Sequence, residues 1–567
     1  MKNFIIIFLL AGFTSPVFSQ WSTDPSVNNK ISPSSSYNNW SENSCPDGAG
    51  GIIVIWNKVY FANSELYAQR ISYSGYPMWT PGGVLIGVGP QTTSIPNVLC
   101  TDGGGGAIVY WNDLRSGVYS VYAQRLRSDG QLMWAPGGVQ VSPSNPSFVF
   151  SLKCIPAEAG SSIVVWSSNL PIPNLSTQKM NWDGTKAWTS DVMLATNSNS
   201  FDLCEDGGKG AYYTWSEGPF TTSDIFAQHV NALGTIQWTP RKTVCNVAED
   251  QFLPTMCTDQ NGGFIVAWGD SRDFIFSSGT NSDIYAAHFN SAGNNLWTPN
   301  GTPICTDTNQ QLIMNCISDL HGGAHIFWID LGELMISGNI RIYGQNITHN
   351  GNTRWTYNGK KIADSIDFNA TQDGRSNPSI SAVDNQGGAI VCWMGLRDGV
   401  NFGILAQKVD YYSNILWDPK GVFISTGMLK RRPIATFDGG YGGCNFVWVD
   451  YRNVIANIYG QHIKSDATLG RPKPVNSGTQ EAYTIRQNFP NPFNPTTNIA
   501  FTLTNDANVS ITVFDMSGRQ LEVLADGFLT AGDHSVTWNA ANNASGTYFY
   551  KFTIGNKSEI KKMLLIK

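Results

Sequence analysis

The sequence predicts an all-β protein: an eight-bladed β-propeller that is closed by its N-terminal strand, followed by a small antiparallel β-sandwich of immunoglobulin-like type. Three observations predict this fold. A two-part phrase recurs at a period of roughly 55 residues, each copy divides into four short strands, and the last copy lacks a Trp that the N-terminus can supply. The 57 glycines and 27 prolines also favour tight turns over long helices.

Residues 1–19 have the pattern of a secretory signal peptide. Lys2 precedes an apolar run, Phe4–Phe13, which is too short to span a bilayer. The residues before position 20 suit a cleavage site after Ser19. No later segment is apolar over about 18 residues, so we expect no transmembrane segment in the mature chain.

Each repeat contains two phrases, and each phrase contains a Trp. The first phrase has an Asp-containing turn, Gly-Gly, a β-branched run and then Trp56, Trp111, Trp166, Trp215, Trp268, Trp328, Trp393 or Trp448. The second phrase has Tyr-Ala-Gln or a variant, a Gly turn and then Trp79, Trp134, Trp188, Trp238, Trp297, Trp355 or Trp417. Because these residues recur at one point of the repeat, we expect them to pack between blades and not to bind a ligand.

The second repeat shows the strand pattern of one blade. Turn residues separate four segments of strand composition, which are Pro96–Cys100, Gly106–Trp111, Val121–Leu126 and Leu132–Val141. The apolar runs that end in the first Trp fit strands that neighbouring blades cover on both faces.

The last repeat is incomplete. In complete repeats a recurrent Gln lies 10 residues before the second Trp, but the residue at that distance from Gln461 is Arg471. Trp21 lies 35 residues before Trp56. This distance is close to the one that separates the second Trp of a repeat from the first Trp of the next repeat. We therefore expect the segment near Trp21 to complete the blade that contains Gln461, which removes an exposed sheet edge.

The repeats define a propeller over residues 20–464, and a polar, Pro-containing linker follows over residues 465–482. A new unit spans residues 483–567. Its predicted strands are Ile499–Leu503, Val509–Phe514, Gly532–Trp538, Tyr548–Ile554 and Lys562–Ile566.

The C-terminal unit contains long, ordered motifs. They are Asn-Phe-Pro-Asn-Pro-Phe-Asn-Pro at 488–495, Val-Phe-Asp-x-x-Gly-Arg at 513–519, Ala-Gly-x-His-x-Val-x-Trp at 531–538, Ala-Ser-Gly-x-Tyr-Phe-Tyr at 544–550 and Lys-Met at 562–563. In these motifs the unit resembles the type A C-terminal sorting domain of cargo of the bacterial type IX secretion system. The resemblance implies that residues 483–567 bind the type IX machinery. It also implies passage through the periplasm to the medium or to the outer cell surface.

Charge and motif content argue against several functions. Only 14% of the residues are charged, the net charge is −6, and no Lys/Arg block marks a nucleic-acid surface. Neither His-Glu-x-x-His nor Gly-x-Ser-x-Gly occurs, so no catalytic residue is assigned and a non-enzymatic role is favoured. His321 and His325 would lie about 13 Å apart on a strand, so no metal site is predicted.

Loop length indicates the working face. The connection from the first Trp to the recurrent Gln spans 12–14 residues in most repeats, but 17 in the sixth and 19 in the fifth. It emerges on the same side as the equally variable connection between blades, which we call the variable face. Two turns of nearly constant length lie on the other side, the fixed face.

Binding residues concentrate in variable loops on a rigid scaffold. The predicted ligand-binding residues are therefore the aromatics and acids of the variable face, which are Tyr60, Phe61, Tyr119, Phe220, Asp270, Asp273, Phe274, Phe276, Asp283, Phe402 and Tyr451. The aromatics suit sugar stacking, and the acids of the fifth loop can hold Ca²⁺, the one cofactor considered.

Other recurrent residues are predicted to be structural. The recurrent Gln is expected to satisfy backbone groups, and the Arg, Lys or His after it to be a solvated strand residue. A recurrent Trp-x-Asp-x-Arg form is expected to make a local turn contact. Six cysteines at equivalent positions are expected to be buried, and the candidate disulfides are Cys245–Cys257 and Cys305–Cys316.

Three functions fit the sequence, since a fold alone does not supply an activity. The first is binding of a glycan or a protein on the variable face of a secreted or surface-displayed propeller. The alternatives are a secreted hydrolase or lyase that acts on polysaccharide, and a structural component of the cell surface or an adhesion layer.

Overall fold

A computed structural model describes residues 21–566, except residues 34–35, 61–62, 91–96, 144–148, 159, 169–173, 220, 274–281, 333–338, 368–378, 382–386, 398–400, 428–429, 440–441, 453, 471–482, 504–506, 531 and 555–556. The described residues form β-strands and turns, and no helix occurs among them, as the sequence predicts. Within these ranges, therefore, nothing has the length and apolar character of a membrane-crossing helix.

The strands up to Ile463 form antiparallel groups of four. The chain opens with β1 (Asn29–Lys30), and the first four sheets follow as β2 (Asn38–Pro46), β3 (Ile52–Tyr60), β4 (Asn63–Ile71), β5 (Val84–Pro90); β6 (Asn97–Thr101), β7 (Ala107–Asp113), β8 (Ser120–Leu126), β9 (Val139–Gln140); β10 (Val149–Pro156), β11 (Ser162–Ser168), β12 (Asn174–Met180), β13 (Val192–Thr196); and β14 (Ser198–Glu205), β15 (Ala211–Glu217), β16 (Asp224–Val230), β17 (Lys242–Cys245).

The fifth to eighth sheets continue the pattern. They are β18 (Gln251–Thr258), β19 (Phe264–Asp270), β20 (Asp283–Phe289), β21 (Thr302–Cys305); β22 (Gln311–Ser318), β23 (Ala324–Asp330), β24 (Asn339–Ile347), β25 (Lys360–Asp367); β26 (Ser379–Ser381), β27 (Ala389–Arg397), β28 (Asn401–Val409), β29 (Val422–Thr426); and β30 (Lys430–Phe437), β31 (Cys444–Asp450), β32 (Asn457–Ile463) with β1. The sixth and seventh sheets also touch edge to edge through one pair, Ile366 opposite Gly395.

The second sheet shows how the sequence pattern becomes structure. Strands β6, β7 and β8 begin and end within two residues of the predicted segments, and every residue of β7 is buried between neighbouring sheets. Strand β9 is shorter than predicted, because only Leu132 of the preceding segment stays paired, through one bridge to Leu126. The residues that follow Leu132 leave the sheet and carry Trp134 against the next one.

The N-terminal strand completes the eighth sheet. In this pairing Asn29 lies opposite Gly460 and Lys30 opposite Tyr459. Trp21 is buried, and its indole N–H donates to the carbonyl of Tyr73 in the first sheet at 2.9 Å. The predicted association of the two ends of the repeat region is confirmed.

The second Trp of each repeat joins one sheet to the next. For seven of the eight, counting Trp21, the indole N–H donates to a carbonyl in the turn between the third and fourth strands of the following sheet, at 2.8–3.0 Å, in the pairs Trp21–Tyr73, Trp79–Ser128, Trp134–Trp182, Trp188–Ala232, Trp297–His349, Trp355–Tyr411 and Trp417–Ser465. In five of these turns the residue two positions after the carbonyl is a Gly that packs on the indole; a Cβ on Gly184 would lie 2.8 Å from Trp134. The packing role predicted for these Trp residues is confirmed.

The recurrent Gln braces the third strand, as predicted. In the second sheet, Gln124 Oε1 accepts from the backbone N–H groups of Arg125 and Trp134, both at 2.9 Å, and its amide donates to Ala135 O at 2.9 Å. The Gln124 side chain thereby holds the backbone at Trp134 and Ala135 against β8.

The residue after this Gln is not solvated, and that prediction is wrong. In six of the eight sheets its side chain contacts the Asp of the fixed-face turn between the first two strands, at 2.8–3.1 Å, in the pairs Arg70–Asp47, Arg125–Asp102, His229–Asp206, His288–Asp259, Asn346–Asp319 and His462–Asp438. In all of these pairs except the last, the other oxygen of the Asp accepts backbone N–H groups of the turn, as Asp102 Oδ1 does from Gly104 at 2.8 Å and Gly106 at 2.7 Å. The carboxylate therefore needs a buried cation or donor on its second oxygen.

The ten cysteines are free thiols, so both candidate disulfides are wrong. Cys245 lies on an outer strand near Asn300 O, at 3.5 Å, whereas Cys257 lies on the inner strand of the next sheet. There its sulfur contacts Cys316 Sγ at 3.5 Å, on the following inner strand. The predicted burial of the equivalent cysteines holds for five of the six, since Cys154 is half-buried.

The C-terminal unit consists of two antiparallel sheets around one core. Its strands are β33 (Tyr483–Ile485), β34 (Thr496–Leu503), β35 (Ala507–Phe514), β36 (Gln520–Leu529), β37 (Gly532–Asn539), β38 (Gly546–Ile554) and β39 (Lys557–Leu565). The order β33-β34-β37 faces β36-β35-β38-β39 across Trp538 and Tyr550, which are fully buried.

This unit contacts the fixed face of the first two sheets. The Arg486 guanidinium lies 4.4 Å from the centre of the Tyr73 ring, and the Asn498 amide donates to Gly103 O at 3.2 Å. Residues 465–470 of the predicted linker still belong to the eighth sheet, since Leu469 bridges Ile463.

Candidate ligand-binding face

The predicted ligand-binding residues lie on several different sheets. Tyr60 ends β3, Tyr119 precedes β8, Asp270 ends β19, Asp283 begins β20, Asp273 follows in the same connection, Phe402 lies in β28 and Tyr451 follows β31. Phe61, Phe220, Phe274 and Phe276 lie outside the described residues. The structure brings together the acids of the fifth sheet, and it surrounds Tyr60 with residues that the sequence did not single out.

Tyr60 belongs to a cluster at the variable edge of the first sheet. Its hydroxyl donates to Glu65 Oε1 at 3.1 Å, and Tyr67 donates to Glu65 Oε2 at 2.9 Å. The Lys58 ammonium lies 3.4 Å from the same carboxylate. A second aromatic ring, Tyr37, lies 5.5 Å from Tyr60 between centroids.

The hydrogen bonds fix the charge of this cluster. Burial raises the pKa of Glu65, but the hydroxyls of Tyr67 and Tyr60 and the charge of Lys58 outweigh it, so the pKa of Glu65 is lowered. Burial and the bond to Glu65 raise the pKa of Tyr67 to about 12. At neutral pH the cluster therefore presents a carboxylate, neutral phenols and an ammonium group.

A small open cleft lies on the opposite side of the first sheet, at the same edge. Its walls come from the first two sheets, and they include Asn57, Ser64, Gly87, Asn112 and Asp113. Asn57 and Ser64 line it because strand side chains alternate, which turns their neighbours Lys58 and Glu65 toward the eighth sheet.

The acids of the fifth sheet form a cross-strand pair. Asp270 and Asp283 lie directly opposite each other. Both oxygens of Asp270 are engaged, since Arg272 donates to Oδ1 and Oδ2 and the Trp268 indole donates to Oδ2 at 2.8 Å. Asp283 is 3% exposed, and its Oδ1 has no hydrogen-bond partner among the described residues.

The environment of Asp283 favours its protonated form. Burial, and then the negative charges of Asp273 and Asp270, raise the pKa of Asp283 to about 7. A carboxyl group that is half protonated near neutral pH can donate or accept a proton, which the sequence alone did not indicate.

The Trp-x-Asp-x-Arg form makes the local contact that the sequence predicts. In the second sheet, Asp113 accepts from the Trp111 indole at 2.8 Å and from the Arg115 backbone and side chain at 2.8 and 2.5 Å. The Arg115 guanidinium lies 4.2 Å from the centre of the Tyr122 ring. These contacts fix the end of β7 and the start of the variable loop that follows it.

The remaining predicted residues pack against the scaffold. Tyr451 makes an edge contact with Trp40, at 5.7 Å between centroids, and Phe402 lies against the core between the seventh and eighth sheets. Glu65, Lys58 and Tyr67 were missed because they lie on β3 and β4, outside the variable loop between these strands that drew attention to Tyr60.

Solved structures resemble the chain only distantly. They include polysaccharide lyase Uly1 (7% identity, 79% of this chain and 98% of that one, TM-score 0.38), Sqt1 from Chaetomium thermophilum (9% identity, 78% and 99%, TM-score 0.36) and the β-propeller domain of the Trilobed protease from Pyrococcus furiosus (7% identity, 69% and 97%, TM-score 0.31). No curated protein matches the chain in sequence. These similarities do not bear on what the chain binds.

The C-terminal unit matches a known family. Residues 487–567 match the secretion system C-terminal sorting domain, over nearly the whole of the segment that carries the sequence motifs. The match confirms the resemblance to type A sorting domains and makes the protein a secreted or cell-surface cargo that interacts with the type IX machinery. Residues 487–567 therefore match the family of secretion system C-terminal sorting domains, and this match supports export of the protein as cargo of the type IX secretion system.

Proposed function

We propose that the chain is an exported glycan-binding β-propeller. In this proposal the eight sheets are blades of a closed array over residues 20–464, and an immunoglobulin-like sandwich directs export through the periplasm. Contacts between the first strands of successive sheets support closure, as between β2 and β6, β6 and β10, and β30 and β2. The pairing of β1 with β32 supports it as well.

The position of the sorting domain supports the variable face as the binding face. Arg486 and Asn498 contact turns of the fixed face, so that side of the first two blades is covered while the domain is attached. Tyr60 lies at the opposite end of β3 from these turns.

The cluster around Tyr60 carries the proposal. Tyr37 and Tyr60 offer aromatic rings against which the C–H faces of a sugar can pack, and Glu65 and Lys58 offer an acceptor and donors for its hydroxyls. The adjacent cleft adds the polar side chains of Asn57 and Ser64 at the same edge.

A binding assay tests the proposal. The mature chain is screened on a glycan array and on isolated cell-wall polysaccharide, and any ligand found is titrated against variants. We expect Tyr60→Ala to weaken binding about tenfold, the value of one aromatic contact. Tyr412→Ala is the matched control, because Tyr412 is an exposed aromatic of a fixed-face turn. Absence of binding to every glycan tested, or an equal loss of affinity in both variants, would contradict the proposal.

The export part has its own test. A chain without residues 481–567 should remain inside the cell envelope, while the full chain reaches the medium or the cell surface. Normal export of the shortened chain would contradict the periplasmic route and the role of the sorting domain.

A second candidate function rests on Asp283. An acid of pKa about 7 opposite a charged carboxylate is suited to proton transfer in polysaccharide cleavage. Reducing-end release from a polysaccharide panel, lost in Asp283→Asn, would support a hydrolase or lyase. Stabilisation of the wild-type protein by Ca²⁺, absent in the same variant, would instead support Ca²⁺ held by Asp273 and Asp283.

A further inference from the structure

Three side chains with metal-ligating groups meet between the fifth and sixth sheets, on the fixed face. They are Asp259 in the turn after β18, His288 on β20 and His349 in the turn after β24. One carboxylate oxygen and one ring nitrogen from each histidine all lie within 4.8 Å of one another.

Asp259 is held in place by its own turn. Its Oδ1 accepts from the backbone N–H groups of Asn261 and Gly263, both at 2.7 Å, and the residue is 3% exposed. Oδ2 is therefore the oxygen that faces the histidines, at 2.8 Å from His288 Nε2.

Both ring nitrogens of His288 face acceptors. Nε2 faces the Asp259 carboxylate, and Nδ1 lies 3.3 Å from the backbone carbonyl of His349, in a ring that is fully buried. A neutral imidazole carries only one N–H, so it satisfies one of these two acceptors and turns a lone pair toward the other. A cation shared by Nε2 and the carboxylate relieves this opposition, and a carbonyl on Nδ1–H is the usual outer partner of a metal-bound histidine.

His349 comes from the neighbouring sheet and is exposed. Its backbone position is fixed by the Trp297 indole, which donates to its carbonyl at 2.8 Å. The two imidazole rings lie 4.9 Å apart and nearly perpendicular, at 77°. The third donor therefore sits over the buried pair, on the side open to solvent.

The repeats supply natural comparisons. His229–Asp206 and His462–Asp438 make the same pair at 2.8 and 3.1 Å. At the position of His349, the following sheet has Ser291 in the first case and Tyr73 in the second. Among the described residues, only the group that includes His349 offers three donors within reach of one ion.

We propose that Asp259, His288 and His349 bind Zn²⁺ and clip the fifth sheet to the sixth. Two imidazoles and one carboxylate form a typical three-ligand zinc set, which leaves a fourth position for water. Imidazole donors favour Zn²⁺ over Ca²⁺ and Mg²⁺, which prefer oxygen ligands. When the ion binds, any proton on His288 Nε2 or on the ligating nitrogen of His349 is released to solvent, and no other covalent bond changes.

The test uses the full mature chain without an affinity tag, stripped with a chelator and titrated with Zn²⁺. We expect one equivalent per chain by calorimetry and by metal analysis after dialysis, with a rise in the melting temperature. Mg²⁺ should give neither effect. Failure of the wild-type chain to bind Zn²⁺ would overturn the proposal.

His349→Ser is the decisive variant, because it copies the residue found next to His229 and removes an exposed side chain. We expect its metal-free melting temperature to equal that of the wild type and its Zn²⁺ affinity to fall tenfold or more. Unchanged affinity and stoichiometry in this variant would overturn the proposal. Ser291→His should build a second site beside His229 and Asp206, and so raise the stoichiometry to two.

Discussion

Asp283→Asn should stabilise the protein at alkaline pH. The carboxyl is 3% exposed, lies opposite Asp270, and has a pKa raised to about 7 from an ordinary value of 3.8. A shift of about three units corresponds to at most about 4 kcal/mol, at 1.36 kcal/mol per unit. Asparagine has nearly the same shape and carries no charge, so it removes this cost.

The sign follows from proton binding. Because the folded state holds the proton up to about pH 7 and the unfolded chain loses it near pH 4, wild-type stability falls as pH rises between these values. The variant lacks this fall, so its advantage should be absent below pH 4 and complete above pH 7. For about 440 residues, an entropy of unfolding of about 0.9 kcal/mol/K converts 4 kcal/mol into roughly 4 °C.

Thermal unfolding of both proteins, followed by calorimetry from pH 4 to pH 8.5, measures this difference. Asp224→Asn is the matched comparison, since Asp224 begins the same strand of the fourth sheet and is more exposed; burial raises its pKa too, but the charge of Arg241 opposes the rise, so we expect a smaller difference of the same sign. A difference that does not vary with pH, or a variant less stable than the wild type at pH 8, would refute the reasoning.

Three further predictions concern the scaffold, and urea unfolding measures each. Gly184→Ala should cost more than Gly207→Ala by about 1–3 kcal/mol, because both have positive φ but only the first places a Cβ 2.8 Å from Trp134; equal costs would contradict the packing role. Trp21→Ala should lower the free energy of unfolding by about 3–5 kcal/mol, and an unchanged free energy of unfolding would argue against closure by the N-terminus. Hydrogen bonds and nearby cations lower the pKa of Asp450 despite its burial, so Asp450→Asn should destabilise at pH 7, with a deficit that shrinks below pH 4; a deficit independent of pH would contradict this.

The repeat made most of the fold predictable, because every copy shows the same pattern of apolar strand residues, turn residues and Trp. The spacing that placed Trp21 beside the last sheet needed no knowledge of contacts. The sequence was less informative at β36, an edge strand whose residues are mostly exposed and show no regular alternation. It also missed β33, which has only three residues.

The site was predictable only in part. Loop length and composition found Tyr60 and the fifth-sheet acids, but not the ionisation of Asp283, which depends on burial and on a cross-strand neighbour. The sequence analysis missed the group of Asp259, His288 and His349 for another reason. His288 and His349 are 61 positions apart, and only the packing of one sheet's turn over the next brings them together.

The union of β1 with β32 ties completion of the first domain to the end of its synthesis. Ser32 and Ile458 are hydrogen-bonded although 426 positions separate them. At 5–20 residues per second, the earliest strand to leave the ribosome waits roughly 20 to 90 s for its partner. A chain that stops before β32 keeps an unpaired sheet edge of the kind that proteases and chaperones recognise, so the pairing that stabilises the repeat region also distinguishes a complete repeat region from a truncated one.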